Sequence, residues 1–242
     1  MTKTLLITND YPPRPGGIQS YLETYLSHLD PAEVAVLAST FRGAESAEYD
    51  ASKPYLVERV PTEMLLPTPD LAARARRLAS DFGATTIWFG AAAPLAAMAP
   101  VLREGPVERI VASTHGHEVG WSMLPGSRQV LRVIGESTDA ITYVSDYTRR
   151  RVSAAFGPRA RLVRQPGGVD TERFRPDPVR RRAIRDRYGV ADRDVIVCLS
   201  RLVPRKGQDA LIRAMPEIAR RVPGAVLVVV GGGPYRRTLE GL

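Results

Sequence analysis

Short apolar, β-branched segments alternate with stretches of helical apolar spacing along almost the whole chain, and this alternation most constrains the fold. Strand-like segments fall at residues 4–8, 34–38, 55–60, 86–89, 109–113, 140–144 and 161–164, then at 195–199 and 225–230. Helical spacing occupies 18–29, 70–81, 92–103, 147–156 and 179–188. Val195-Ile196-Val197-Cys198-Leu199 is a continuous apolar run, as expected of a strand buried on both faces. The pattern predicts an α/β protein built on doubly wound parallel sheets.

The segment from Pro166-Gly167-Gly168 to Pro176-Asp177-Pro178 is dense in breakers and marks a crossing between domains. The expected organisation is a first domain over 1–165, a linker and helix over 166–193, and the start of a second domain over 194–242. Two strands do not complete a Rossmann-like half, which needs roughly 100 further residues. The second domain is therefore expected to be truncated in this chain.

Composition excludes several classes. A hydrophobic content of 44% with 25% charged residues fits a soluble globular protein. No run approaches the ~20 apolar residues needed to cross a bilayer. The opening apolar stretch meets Asn9-Asp10 too soon for a signal peptide. Cys198 is the single cysteine, so no intramolecular disulfide forms, which suits a cytoplasmic setting; its strand context predicts a core role. The net charge of +8 calls for anionic partners. The arginines are scattered and no helix-turn-helix, zinc-finger or RNA-binding signature is present, so nucleic acid is not the expected partner. Phosphorylated ligands and an anionic membrane surface account for the charge equally well.

Chemistry is concentrated in a few loops. Ser200-Arg201-Leu202-Val203-Pro204-Arg205-Lys206-Gly207 stands between a strand and a helical pattern beginning at Gln208. That order puts Arg201 and Lys206 at the carboxyl edge of a parallel sheet, where open α/β sheets bind ligands and helix starts favour anions. A merely solvated basic loop is the alternative, although Lys206 is one of only three lysines. In the first domain, Gly16-Gly17 ends a proline-rich loop and opens a helix, without the third glycine of a dinucleotide fingerprint. A tight turn explains the pair as well as a ligand does. Thr114-His115-Gly116-His117-Glu118 follows a strand; two histidines at i and i+2 make no zinc site without further ligands, and no metal is expected. Ser145 is expected to cap the next helix. Arg149-Arg150-Arg151 reads as a solvated face or a lipid contact. Arg74, Arg76 and Arg77 share a helix with Leu71 and Leu78, which suits either a core-facing helix or one lying on anionic headgroups.

The segment Leu199–Gly207 resembles the "sRl…KG" signature of retaining GT-B glycosyltransferases, and Gly16-Gly17-Ile18 resembles their "P…GG(I/V)" loop. The resemblance extends to Gly231-Gly232-Gly233-Pro234, where Gly232 replaces a common acidic residue, and to Pro166–Asp170, where Gly167 replaces an asparagine. It implies two Rossmann-like domains facing a cleft, with the acceptor on the first and a nucleotide sugar on the second. Arg201 and Lys206 would hold the donor diphosphate, with Gly16 and Gly17 approaching it across the cleft. His115 would lie beside the transferred sugar, with His117 and Glu118 as secondary candidates, and Gln19 and Tyr11 would contact the acceptor. The nearest branch resembles actinobacterial enzymes that use GDP-mannose and an inositol-lipid acceptor, peripheral at the inner membrane face. A GT-B glycosyltransferase with a different nucleotide sugar and a soluble acceptor, or a non-catalytic basic nucleic-acid binder, are the competing expectations.

Overall fold

A computed structural model of the protein describes residues 2–242, which divide into two compact units, one running to Val169 and the other from Asp170 to Leu242. In the first unit the strands are β1 (Thr4–Thr8), β2 (Val34–Ser39), β3 (Leu56–Val60), β4 (Thr86–Phe89), β5 (Arg109–Thr114), β6 (Ala140–Tyr143) and β7 (Leu162–Arg164). Its helices are α1 (Gly17–Leu26), α2 (Gly43–Ala51), α3 (Pro69–Phe82), α4 (Ala99–Leu102), α5 (Glu118–Met123), α6 (Pro125–Ser137) and α7 (Asp146–Phe156). The second unit holds α8 (Pro178–Arg187), β8 (Val195–Leu199), α9 (Gln208–Arg221), β9 (Val226–Val230) and α10 (Arg236–Glu240).

The first sheet is wholly parallel, in the order β3-β2-β1-β4-β5-β6-β7. The order reverses between β1 and β4, so the chain leaves these neighbouring strands in opposite directions and opens a crevice at their carboxyl ends. Alternate strand residues supply two apolar layers. Leu5, Ile7, Ala35 and Leu37 join Leu71, Leu78, Leu131 and Phe156 on one face. Leu6, Val34, Val36 and Ala38 join Tyr21, Leu22 and Leu26 on the other. Each such aliphatic side chain contributes about 1.5–3 kcal/mol on burial.

Local sequence explains the helix ends. Thr68 accepts from the Leu71 amide to cap α3, Pro69 opens it, and Gly83 closes it in the left-handed conformation. Ser145 caps α7 by accepting from the Thr148 amide, as its sequence position predicts. The expected helix over 92–103 is instead a 3-10 turn, Leu95–Met98, running into the short α4. Pro94 and Pro100 each remove a helical donor there.

One expectation is corrected, and one alternative left open by the sequence is narrowed. The run 195–199 is not buried on both faces: Val197 is 61% and Leu199 75% exposed, and Cys198 is only half-buried. Within its unit, β8 pairs only with β9, so no further sheet neighbours shield it. On α3, Leu71 and Leu78 belong to the core, while Arg74 pairs with Glu58 and Arg76 with Glu104. That leaves Arg77 alone of the three arginines without an ion pair, so the helix presents less free charge than its sequence suggests.

Candidate functional site

The crevice at the β1–β4 reversal is bounded by the loop that leaves β1. Asn9 clamps the segment after β3: its Oδ1 accepts from the Leu65 amide at 2.6 Å and its Nδ2 donates to the Leu65 carbonyl at 3.0 Å. Asp10 accepts from Gln19 Nε2 at 3.1 Å, tying the loop to the first turn of α1. Gly16 occupies the N-cap position of α1, which has no side-chain cap and no acidic residue in its first turn. The helix start therefore presents unneutralised backbone N–H groups toward solvent. A Cβ on Gly16 would run into the Gln19 amide, whereas one on Gly17 would meet open space.

Tyr11, expected at the acceptor, is buried beneath the loop. It is 1% exposed, its hydroxyl shares a 2.9 Å hydrogen bond with that of Tyr55, and Arg59 lies over its ring. Burial, followed by the Tyr55 bond, pushes its pKa well above the ordinary tyrosine value. These contacts make Tyr11 a support of the loop. Gln19 is likewise buried, and its amide nitrogen is spent on Asp10.

His115 follows β5, and its Nε2 is 2.8 Å from the carbonyl of Gly90, the residue after β4. A carbonyl only accepts, so Nε2 carries the hydrogen and Nδ1 keeps a free lone pair. Burial holds the His115 pKa below its ordinary value, which keeps the ring neutral near pH 7. The ring also meets Tyr21 edge to face, with centroids 4.8 Å apart. Behind it sits Glu118, wholly buried, whose Oε2 accepts from the amides of His115 and Gly116 at 3.2 Å each. His117 Nε2 approaches Ala93 O at 3.3 Å and Glu118 Oε1 at 3.2 Å. The second approach lacks hydrogen-bond geometry and leaves Glu118 Oε1 without a donor. Glu118 thus shapes the loop that carries His115, a role its charge in the sequence conceals. Among the described residues, no three His, Cys, Asp or Glu side chains cluster as metal ligands.

In the second unit, Arg201 and Lys206 are both exposed and neither takes part in an ion pair. The loop between them is well held. Gln208, fully buried at the start of α9, donates from Nε2 to Ser200 Oγ and to the Arg201 carbonyl, each at 2.8 Å. The amide of Leu202 donates to Gly232 O, and that of Tyr235 to Leu202 O. Gly231 and Gly233 have φ of 150° and 155°, and a Cβ on either would strike the backbone carbonyl of Ser200 or Leu202. Sequence reasoning passed over Gln208; its only signal is its place directly after Gly207.

Comparison with known proteins settles the family. Residues 15–173 match the model of Glycosyltransferase Family 4, and residues 180–242 that of Glycosyl transferases group 1. The chain belongs to the family 4 glycosyltransferases. A relative in Mycolicibacterium smegmatis (strain ATCC 700084 / mc(2)155) is 57% identical over 240 residues, covering 98% of this chain and 62% of the relative. It is named a GDP-mannose-dependent alpha-(1-6)-phosphatidylinositol monomannoside mannosyltransferase. A Corynebacterium glutamicum relative, 49% identical over 242 residues, covers 99% of this chain and 64% of its own length. Its name specifies a monoacylated form of that acceptor. The chain thus spans a little under two thirds of these curated relatives. Among solved structures, Anabaena Alr3699/HepE in complex with UDP superposes with a TM-score of 0.74 at 19% identity, covering 99% of this chain and 65% of that one. The fold of this glycosyltransferase is accordingly α/β and of GT-B type, with two Rossmann-like units.

Proposed function

We propose that this glycosyltransferase moves mannose from GDP-mannose to a phosphatidylinositol monomannoside with retention at the anomeric carbon. The observation that carries the reading is the 57% identity, over 98% of the chain, to a relative named for that reaction. In this reading residues 1–165 take the acceptor and the unit beginning at 194 takes the donor, with 166–193 linking them. Breaking the anomeric C–O bond loads negative charge onto the diphosphate. The unpaired cations of Arg201 and Lys206 oppose that charge most strongly in the transition state. The bare start of α1, at Gly16 and Gly17, supplies N–H groups and room for close approach from the acceptor side. His115, neutral and donating from Nε2 to the protein, accepts a sugar hydroxyl through Nδ1.

Meeting a lipid acceptor requires contact with a membrane surface. Among the described residues no helix is long and apolar enough to span a bilayer. Peripheral contact is supported by exposed apolar side chains, Met64 and Leu66 in the loop after β3, Met123 at the end of α5 and Leu124 just before α6. Arg77 adds charge for anionic headgroups, worth about 1 kcal/mol at such a surface.

The test supplies purified protein with radiolabelled GDP-mannose and vesicles containing phosphatidylinositol monomannoside. Label entering a lipid dimannoside is the expected result. Label entering soluble inositol phosphate in preference to lipid would favour the soluble-acceptor alternative, and transfer only from another nucleotide sugar would refute the donor assignment.

A further inference from the structure

Beneath the glycine loop lies a charged group that the reaction does not require directly. Arg59, on β3, forks onto Asp50 of α2, with Nε and Nη2 donating at 2.9 and 2.8 Å to its two carboxylate oxygens. The remaining donors go to backbone. Nη1 reaches the Ser39 carbonyl at 2.7 Å, and Nη2 also reaches the Pro12 carbonyl at 2.6 Å. The guanidinium lies over the Tyr11 ring at 4.9 Å, and both charged side chains are largely buried. Ser39 Oγ in turn donates to the Asn9 carbonyl at 3.2 Å. The loop from Asn9 to Gly17 contains three prolines, and proline has no N–H with which to secure its own backbone. Its carbonyls at Asn9 and Pro12 are instead held from β2 and β3.

A pair that merely tied α2 to β3 would be complete with the Asp50 fork. The two further bonds reach the end of β2 and the middle of the ligand-facing loop, which is where a positioning role differs from a purely structural one. We propose that Arg59, locked by Asp50, is a positioning residue that sets the Asn9–Pro12 segment, ahead of the glycine pair, for the acceptor. The inference rests on the reading that the first unit binds the acceptor. Arginine is required because a planar fork can serve a carboxylate and two carbonyls at once, whereas an ammonium cannot.

Arg59→Lys keeps a cation beside Asp50 and gives up the backbone bonds. Combining Arg59→Met with Asp50→Asn removes both charges together and leaves no orphaned carboxylate. In both variants the KM for the lipid acceptor should rise about tenfold or more, while the KM for GDP-mannose and calorimetric GDP binding stay within about twofold. An unchanged acceptor KM, or equal rises in both KM values, would overturn the proposal. Hydrogen exchange reads the loop without substrate, so it separates this inference from the functional reading. If the wild-type protein transfers no mannose, the functional reading fails. Faster exchange in Arg59→Lys at the Asp10 and Leu65 amides, which bond to Thr8 Oγ1 and Asn9 Oδ1, with α3 unchanged, would still support Arg59 as the loop's anchor. Exchange that rises uniformly, or not at all, would overturn it.

Discussion

The His115 ring donates its Nε2 hydrogen to the Gly90 carbonyl at 2.8 Å, joining the end of β5 to the end of β4 at the edge of the crevice. This fixes the tautomer and leaves Nδ1 as the acceptor. Burial makes protonation harder than in the unfolded chain, so the fold favours the neutral ring. Replacing His115 by Ala should lower kcat/KM about tenfold to a hundredfold, the cost of one unmet hydrogen bond at the substrate. Transfer should be flat with pH above the ordinary histidine pKa of 6.5 and fall only below the folded-state value.

The same shift predicts a stability slope. The unfolded chain binds a proton at His115 before the folded chain does, so this contribution is complete above pH 6.5 and is lost progressively as pH falls from there through the lower folded-state value. Urea unfolding of His115→Gln across this range should show a shallower decline than wild type. Identical slopes would mean that the ring does not carry the effect.

Gly17→Val should leave the fold standing and abolish transfer. A Cβ at Gly17 meets no atom within 4 Å, so any steric block must come from the ligand side. Melting close to wild type with no transfer is the expected pair of results. A variant that unfolds would reduce Gly17 to a turn residue.

In the second unit, Gly233→Ala combines an unfavourable φ with a collision against the Leu202 carbonyl. It should destabilise by about 2–4 kcal/mol. Gly232 faces open space, and Gly232→Asp should fall within about 0.5 kcal/mol of wild type. Chemical denaturation of the two variants side by side provides the check.

Much of the fold was legible because the strands are apolar, β-branched and bounded by breakers. Thr86–Phe89 and Val195–Leu199 have the predicted bounds. The helix α6 was not read, because Gly126, Ser127, Arg128 and Gly135 dilute the periodicity of Val130, Leu131 and Ile134. The candidate site residues that the sequence displays are glycines and exposed cations in loops, and those it conceals are buried charges. Arg59 is one of 31 arginines, and nothing local marks it; its importance comes from Asp50, Ser39 and Pro12, all brought to it by folding. Glu118 and Asn9 escape for the same reason, since their partners are backbone amides whose directions a sequence does not display. Tyr11 shows the converse, a residue placed at a ligand by resemblance and turned inward by its bond to Tyr55.

The central claim is that Arg201 and Lys206 hold the diphosphate of the sugar donor. Both are exposed, unpaired, and carried by a loop that Gln208 and Gly232 keep in place without them. Either can therefore be truncated without disturbing the fold. The most direct measurement is single-turnover mannosyl transfer at saturating GDP-mannose for Arg201→Ala and Lys206→Ala, with melting recorded on the same samples. The account predicts a loss of about a hundredfold or more in each variant, the scale of removing one transition-state donor, with melting unchanged. Near-normal transfer in both variants would contradict it.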